Sequence, residues 1–266
     1  MSGGFSADWL AARAVWDRAA RSPEVEGALV QWAGVRSAPL RILDLGAGTG
    51  NNQRHLAPLL KTPCDWRLVD SDAALLDRAV GHAALKTDDR IAVENLDLAA
   101  SDISPLLEDA DLVTASALFD LVSTEWMDRF LDAVAARGCA LLAVLTYDGR
   151  IDIEGDHEEA ENLEALVNDH QHGDKGFGPA LGPGAHAAMV DGLTRRGYRV
   201  QEGASDWSLT AGDPGARELV EGWVSAAGEI APLDREEIAA WGAALLARPE
   251  TRIYVGHRDL FAVPLS

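Results

Sequence analysis

The strongest constraint on the fold of this chain is a regular alternation that begins at residue 40. Amphipathic segments separate short apolar runs, which lie near 40–45, 66–70, 90–96, 111–116 and 139–146. Such alternation is typical of β-α units, whose strands form a parallel sheet through right-handed crossovers. The runs RILDL and ALLAVL are almost continuously apolar, as in strands that helices cover on both faces. The sequence therefore predicts an α/β fold with a mostly parallel sheet.

Further elements are predicted on both sides of this alternation. Trp9 and Trp16 lie at helical spacing, and Ser22 followed by Pro23 is a typical helix start, so residues 1–37 are predicted to form a helical lid. Residues 38–266 then form one domain with two insertions, 147–184 and a helical one at 213–248. Strands predicted at 198–209 and 252–263 bring the sheet to seven, with helices near 50–60, 72–86, 123–136, 157–171, 184–196, 215–228 and 234–247.

Composition excludes several classes of protein. The 266 residues include 43 acidic and 23 basic side chains, which give a net charge of −20 without a segregated basic patch, so nucleic acid is a poor partner. No apolar run approaches the ~20 residues that cross a bilayer, and the first residues lack the features of an export signal. The two cysteines have no metal-binding spacing. We expect a cytoplasmic protein without a metal site or a membrane partner.

The segment DLGAGTG, from Asp44 to Gly50, follows the first predicted strand and precedes a helix. Its glycines at 46, 48 and 50 permit a sharp turn and close approach of a ligand to the backbone. The dinucleotide fingerprint GxGxxG would require glycine at position 51, where Asn51 stands. The Asp44 carboxylate is unfavourable beside a pyrophosphate but favourable beside an ammonium group. This pattern favours S-adenosylmethionine over a nicotinamide cofactor.

The next predicted strands also end in residues suited to a nucleoside. Asp70 ends DWRLVD, 26 residues after Asp44, where a carboxylate can accept hydrogen bonds from both ribose hydroxyls. Asp97 in ENLDLA can accept from an adenine amino group while the Leu98 amide faces the ring. All these residues fall at the carboxyl ends of successive strands, where open α/β sheets bind ligands.

Together, the segments DLGAGTG, LVDSD, NLDL and SALFD resemble the ordered cofactor motifs of the class I S-adenosylmethionine-dependent methyltransferases over residues 38–146. The resemblance implies a Rossmann-like sheet, glycines that wrap the methionine part of the cofactor, and a backbone at Ser116 near its ammonium. It supplies no catalytic base. Asp97 could instead be a solvated loop residue, and Asp72 fits a helix cap better than a ligand contact. The predicted cofactor residues are Asp44, Gly46, Ala47, Gly48, Gly50, Asp70, Ser71, Asp97, Leu98 and Ser116.

Residues for the methyl acceptor are predicted from position alone. Asp120 follows the SALF turn and is either a catalytic group or a cap for the helix from Ser123. The glycine-rich part of the insertion contains His170, a candidate base or a packed core histidine, and His172, a candidate base or a solvated side chain. The remaining candidates bind substrate or belong to the scaffold or solvent, and they are Arg13, Tyr147, Arg150, Lys175 and Phe177.

The leading interpretation is a methyltransferase that modifies oxygen or nitrogen of a small-molecule acceptor, acting as a monomer or homodimer. The alternatives are a protein or RNA methyltransferase and a non-catalytic protein that binds S-adenosylmethionine. A nicotinamide-dependent oxidoreductase is disfavoured by Asn51 and Asp44.

Overall fold

A computed structural model describes residues 6–231 and 234–265, apart from the side chain of His157. In this part of the chain the strands are β1 (Leu40–Leu45), β2 (Cys64–Asp70), β3 (Arg90–Asn95), β4 (Leu112–Ser116), β5 (Ala140–Ile153), β6 (Tyr198–Ala204), β7 (Trp207–Thr210) and β8 (Arg252–Pro264). The helices are α1 (Ala7–Ala20), α2 (Pro23–Ala33), α3 (Asn51–Leu56), α4 (Ala73–Gly81), α5 (Thr124–Arg137), α6 (His157–Gln171), α7 (Ala185–Arg195), α8 (Ala216–Ile230) and α9 (Arg235–Leu246).

All described strands belong to one sheet, whose order is β3-β2-β1-β4-β5-β8-β6, with β7 paired to β8. Strands β1 to β5 are parallel to their neighbours, and β8 runs antiparallel to β5, β6 and β7. Because β1 lies between β2 and β4, Asp44 pairs with Leu68 on one side and Thr114 on the other. The carboxyl ends of these three strands therefore meet at one edge, and the predicted mostly parallel α/β fold is confirmed.

The sheet differs from the prediction in its second half. Strand β5 continues to Ile153 instead of ending near residue 146, with irregularities on either side of Tyr147. Leu145 lies in the left-handed region (φ 55°). The polar segment DGR that follows interrupts the apolar pattern, so the sequence predicts too early an end to the strand. The predicted strand 198–209 is divided at Ser205 into β6 and β7, which gives an eighth strand.

Three apolar cores stabilise these elements. Two lie on opposite faces of the parallel sheet, one around Phe119 and Phe130 and the other around Trp66. The third lies beyond the carboxyl ends of the parallel strands, where α6 packs on β5, α1 packs on β7, and α8 packs on α6 and α9. Trp16 and Trp207 are almost fully buried there, with ring centroids 5.5 Å apart. The third core thus brings α1 to the edge where the predicted site lies.

The N-terminal helices begin where the sequence predicts. The hydroxyl of Ser6 accepts a hydrogen bond from the Trp9 amide (3.0 Å), and Ser22 caps α2 with Pro23 in its first turn. Between the helices, the Ser22 amide donates to the carboxylate of Asp259 on β8 (3.0 Å). No helix in the described ranges is long and apolar enough to cross a bilayer.

Candidate functional site

The glycine loop after β1 has the conformation that its sequence predicts. Gly48 has φ 51° and Gly50 has φ 78°, in the left-handed region that favours glycine. A Cβ on Gly48 would lie 3.1 Å from Leu10 Cδ1 of α1. The side-chain amide of Asn51 donates to the Leu10 carbonyl (2.8 Å). One face of the loop therefore lies against α1. A ligand can approach the backbone of the loop closely only because the glycines lack side chains.

Asp70 connects the tips of β1 and β2. Its Oδ2 accepts from the Gly48 amide (2.8 Å) and its Oδ1 from the Asp72 amide (2.9 Å). Each carboxylate oxygen has a further lone pair, so the side chain can still accept hydrogen bonds from a ligand. Ser71 is exposed beside it. Asp72 caps α4 by accepting from Ala74 and Leu75, which confirms the cap interpretation of this residue.

The loop after β3 holds the residues predicted to contact adenine. Asp97 is exposed, and its Oδ1 accepts from the Ala99 amide (2.9 Å). Leu98 is buried, and its carbonyl accepts from the indole Nε1 of Trp126 on α5 (2.9 Å). The neighbouring helix therefore fixes this loop, and Ser116 ends β4 on the other side of β1.

Asp44 is fully buried beneath the glycine loop. Its Oδ1 accepts from the side-chain amide of Asn52 (2.9 Å), which also lies 3.1 Å from Thr114 Oγ1. Its Oδ2 has no hydrogen-bond partner among the described residues. Burial raises the pKa of this carboxyl to about 7, against the hydrogen bond from Asn52 and the positive charge of Arg21. A buried oxygen without a donor is costly, and an ammonium group would satisfy it. The residues at the tip of β1 therefore fit the amino-acid end of S-adenosylmethionine.

Asp120 lies in the short turn after β4 and is also buried, with no partner for its Oδ1 in the described part of the chain. Burial raises its pKa to about 6, although its own amide, the charges of Arg13 and Lys175 and the Tyr147 amide act in the opposite direction. The alternative role as a cap of α5 is wrong, because Ser123 caps that helix by accepting from Trp126 (3.2 Å). The structure thus brings together four residues predicted for the acceptor side.

Arg13 joins this group to a histidine that the sequence analysis missed. Its guanidinium bonds to Asp17 through Nε and lies 5.0 Å from the ring centroid of Trp207. That ring is 4.7 Å from the ring of His257 on β8, which is almost fully buried. Burial and the charge of Arg13 lower the pKa of His257 to about 4. The only sequence signal was a histidine within a strand predicted to be buried, which more often packs than reacts.

Several acceptor candidates also have other partners. His170 Nε2 lies 3.3 Å from a Glu229 oxygen and its Nδ1 3.2 Å from Lys175 Nζ, while His172 is exposed with Nδ1 3.4 Å from the Ala180 carbonyl. Arg150 forms ion pairs with Asp148 (2.6 Å) and Asp206 (2.7 Å). Phe177 packs edge-to-face on Trp126, which is the scaffold role. The Tyr147 hydroxyl donates to Asn168 Oδ1 (2.9 Å).

Comparisons with known proteins identify the kind of domain that carries these residues. Residues 42–137 match the sequence family described as a methyltransferase domain, and no curated protein matches the chain. The YcgJ protein of Bacillus subtilis is 15% identical, with a TM-score of 0.51 over 91% of this chain and 99% of its own. A crystal structure from Bacillus halodurans, assigned to a methyltransferase, is 15% identical, with a TM-score of 0.53 over 90% of this chain and 99% of its own.

At this level of identity the two structures show the fold alone, whereas the family match covers the strands that carry Asp44 and Asp70 and the loop that carries Asp97. Among the residues that the structure describes, no group of histidine, cysteine or acidic side chains is arranged to hold a metal ion. The ordered motifs, their meeting at one edge of the sheet and the family match agree. Residues 42–137 therefore form a methyltransferase domain, set in a sheet that has the fold of the two bacillar structures.

Proposed function

We propose that this enzyme transfers a methyl group from S-adenosylmethionine to an oxygen or nitrogen atom of a small-molecule acceptor. The observation that carries the proposal is the buried, unpaired carboxylate oxygen of Asp120 beside Arg13. Asp120 and Arg13 are both buried, and a buried site favours a small acceptor over a folded macromolecule. The net charge of −20 further disfavours a nucleic acid.

The cofactor would be held by the residues at the strand tips. The glycine loop and Asp44 would bind its amino-acid end with the Ser116 backbone, Asp70 its ribose, and Asp97 with the Leu98 amide its adenine. When bound, S-adenosylmethionine supplies a methyl group that is activated by positive sulfur. Its positive charge is complementary to the carboxylates of Asp44 and Asp120, which are both buried. Helix α1, packed against Gly48 through Leu10, would exclude water from this end of the cofactor.

Asp120 is the first candidate for the group that receives a hydrogen bond or a proton from the acceptor. Its raised pKa of about 6 leaves it ionised at neutral pH yet closer to neutrality than a solvated carboxylate, as suits a general base. Arg13 and Lys175 would bind an acidic or polar part of the acceptor, with Tyr147 on the same side. His170 and His172 remain predicted alternatives for the base.

The first test is isothermal titration calorimetry with S-adenosylhomocysteine, because an enzyme of this kind binds its product. The second is transfer from deuterated-methyl cofactor to a panel of small phenols, carboxylic acids and amines, followed by mass spectrometry. We expect Asp120→Asn to lower kcat by about 10²–10⁴-fold, the range for a positioned acid-base group. Asp169→Asn, at an exposed position of α6, is the matched control. Absence of cofactor binding would refute the proposal, and full activity of Asp120→Asn would refute the role of Asp120.

A further inference from the structure

Arg21, between α1 and α2, is a buried cation whose hydrogen bonds are incomplete. Only 8% of the residue is exposed, and its terminal amino group donates to Asn52 Oδ1 (2.9 Å). Its Nε and its other terminal nitrogen have no partner within the described ranges. Burying a guanidinium without satisfying it is expensive, so its position requires compensation from nearby negative charge. The carboxylates that act on it are Asp259, Asp17, Glu26 and Asp44, in decreasing order of effect.

Asn52 connects this cation to the cofactor site. It is 3% exposed and lies in α3, directly after the glycine loop. Its carbonyl oxygen faces a donor of Arg21, so its amino group must face the carboxylate of Asp44 and the hydroxyl of Thr114. Only one orientation of the side-chain amide satisfies these neighbours. The three side chains therefore form one series of hydrogen bonds, in which Arg21 donates to Asn52 and Asn52 donates to the carboxylate of Asp44. A bond from a cation polarises the amide and strengthens its own bond to the carboxylate.

We propose that Arg21 is a positioning residue for the cofactor: acting through Asn52, its positive charge keeps the Asp44 carboxylate ionised and fixed in orientation toward the bound ammonium group. The inference rests on the proposed cofactor site and assigns to the N-terminal segment a role in recognition. Arg21 itself needs no contact with the cofactor.

The electrostatics of Asp44 support this role. The groups that act on its carboxylate are Asn52 and Arg21, which favour the ionised form, and Asp70, which disfavours it together with burial. Burial and the charge of Asp70 both raise the pKa of Asp44. When the charge of Arg21 is removed, only the hydrogen bond from Asn52 still lowers it. The pKa of Asp44 then rises, and the carboxylate becomes protonated at a higher pH. Protonated Asp44 cannot pair with an ammonium group, so affinity for the cofactor is lost at a higher pH than in the wild type.

The experiment is calorimetric titration of S-adenosylhomocysteine into the full chain at intervals between pH 5.5 and 8. The wild type should lose affinity as pH falls through about 7, the pKa of Asp44. Arg21→Met should move this loss to higher pH, so that for one unit of pKa change its affinity relative to wild type falls about fivefold at pH 7 and about tenfold at pH 5.5. The difference should narrow toward pH 8. Any change in the protonation of S-adenosylhomocysteine with pH is the same for all variants, so it cancels when the affinity of a variant is divided by that of the wild type.

Arg21→Lys should restore most of the wild-type pH profile, because it keeps the charge. Arg18→Met, an exposed position of α1, is the control for a general loss of positive charge. A merely structural role would reduce affinity by the same factor at every pH, and that result would overturn the inference. If thermal unfolding shows that Arg21→Met does not fold, Arg21→Gln, which removes the charge but keeps a side-chain donor, must give the same displacement, and an unshifted profile refutes the proposal. Failure of the wild type to bind refutes the proposed cofactor site instead.

Discussion

Replacing Asp70 with alanine tests the cofactor site most directly, because this carboxylate has both a structural and a ligand-binding role. In the free protein it accepts from the amides of Gly48 and Asp72 at 2.8 and 2.9 Å. A hydrogen bond to a charged group contributes about 1.5–3 kcal/mol, so losing the ribose contact should weaken cofactor binding by that amount. With about 1.4 kcal/mol for each tenfold change, the dissociation constant should rise about 12- to 140-fold.

The assay is calorimetric titration of S-adenosylhomocysteine, with Asp77→Ala on the exposed side of α4 as the matched control. Loss of the hydrogen bond to Gly48 could also loosen the loop and lower affinity indirectly. Denaturant unfolding without ligand measures this contribution, which we expect to be about 1 kcal/mol since the site is partly solvated. Asp70→Asn, which keeps one acceptor oxygen, should fall between wild type and alanine. Unchanged affinity of Asp70→Ala would refute the ribose assignment.

Three other substitutions have defined outcomes. Burial raises the pKa of Asp44 from 3.8 to about 7, so the fold should lose stability as pH rises from about 4 to about 7. Asp44→Asn should therefore raise the thermal midpoint at pH 8 while weakening cofactor binding, and a lower midpoint would contradict this. His257 has a pKa lowered to about 4, so the wild type should lose stability between pH 6.5 and 4, and His257→Gln should lose less over that interval in denaturant titrations. Trp126→Phe leaves the Leu98 carbonyl without its donor and should cost about 1–3 kcal/mol of unfolding free energy; no change in chemical denaturation would contradict this.

The sequence predicts the parallel half of the fold well because its signals there are local. Continuous apolar runs identify β1 and the first part of β5, and three glycines, which have left-handed φ values in the structure, locate the turn after β1. The start of α2 is correct because Ser22 and Pro23 act within one turn of the helix. Each of these features depends on neighbours in sequence, which periodicity and cap preferences detect.

The features that sequence reasoning missed depend on distant contacts. The distal part of β5 is polar at Asp148 and Arg150, and it is a strand because it pairs with β8 a hundred or more residues later. Arg21 reaches Asn52 across 31 positions. His257 lies near Arg13 only after α1 has packed on the third core. No local pattern in the sequence encodes these contacts. The cofactor motifs could therefore be recognised from the sequence, whereas the residues on the acceptor side could be predicted only in part.

One buried carboxylate links the two sides of the site. Asp259 is fully buried, and its Oδ2 accepts from the Ser22 amide while its Oδ1 accepts from the Leu145 amide (2.8 Å). Leu145 has the left-handed conformation at the irregularity of β5, beyond which the strand enters the third core. The same carboxylate therefore fixes the residue next to Arg21 and the start of the acceptor-side extension. Because a left-handed leucine persists only where its surroundings impose it, this contact couples the placement of the N-terminal helices to the shape of the acceptor region.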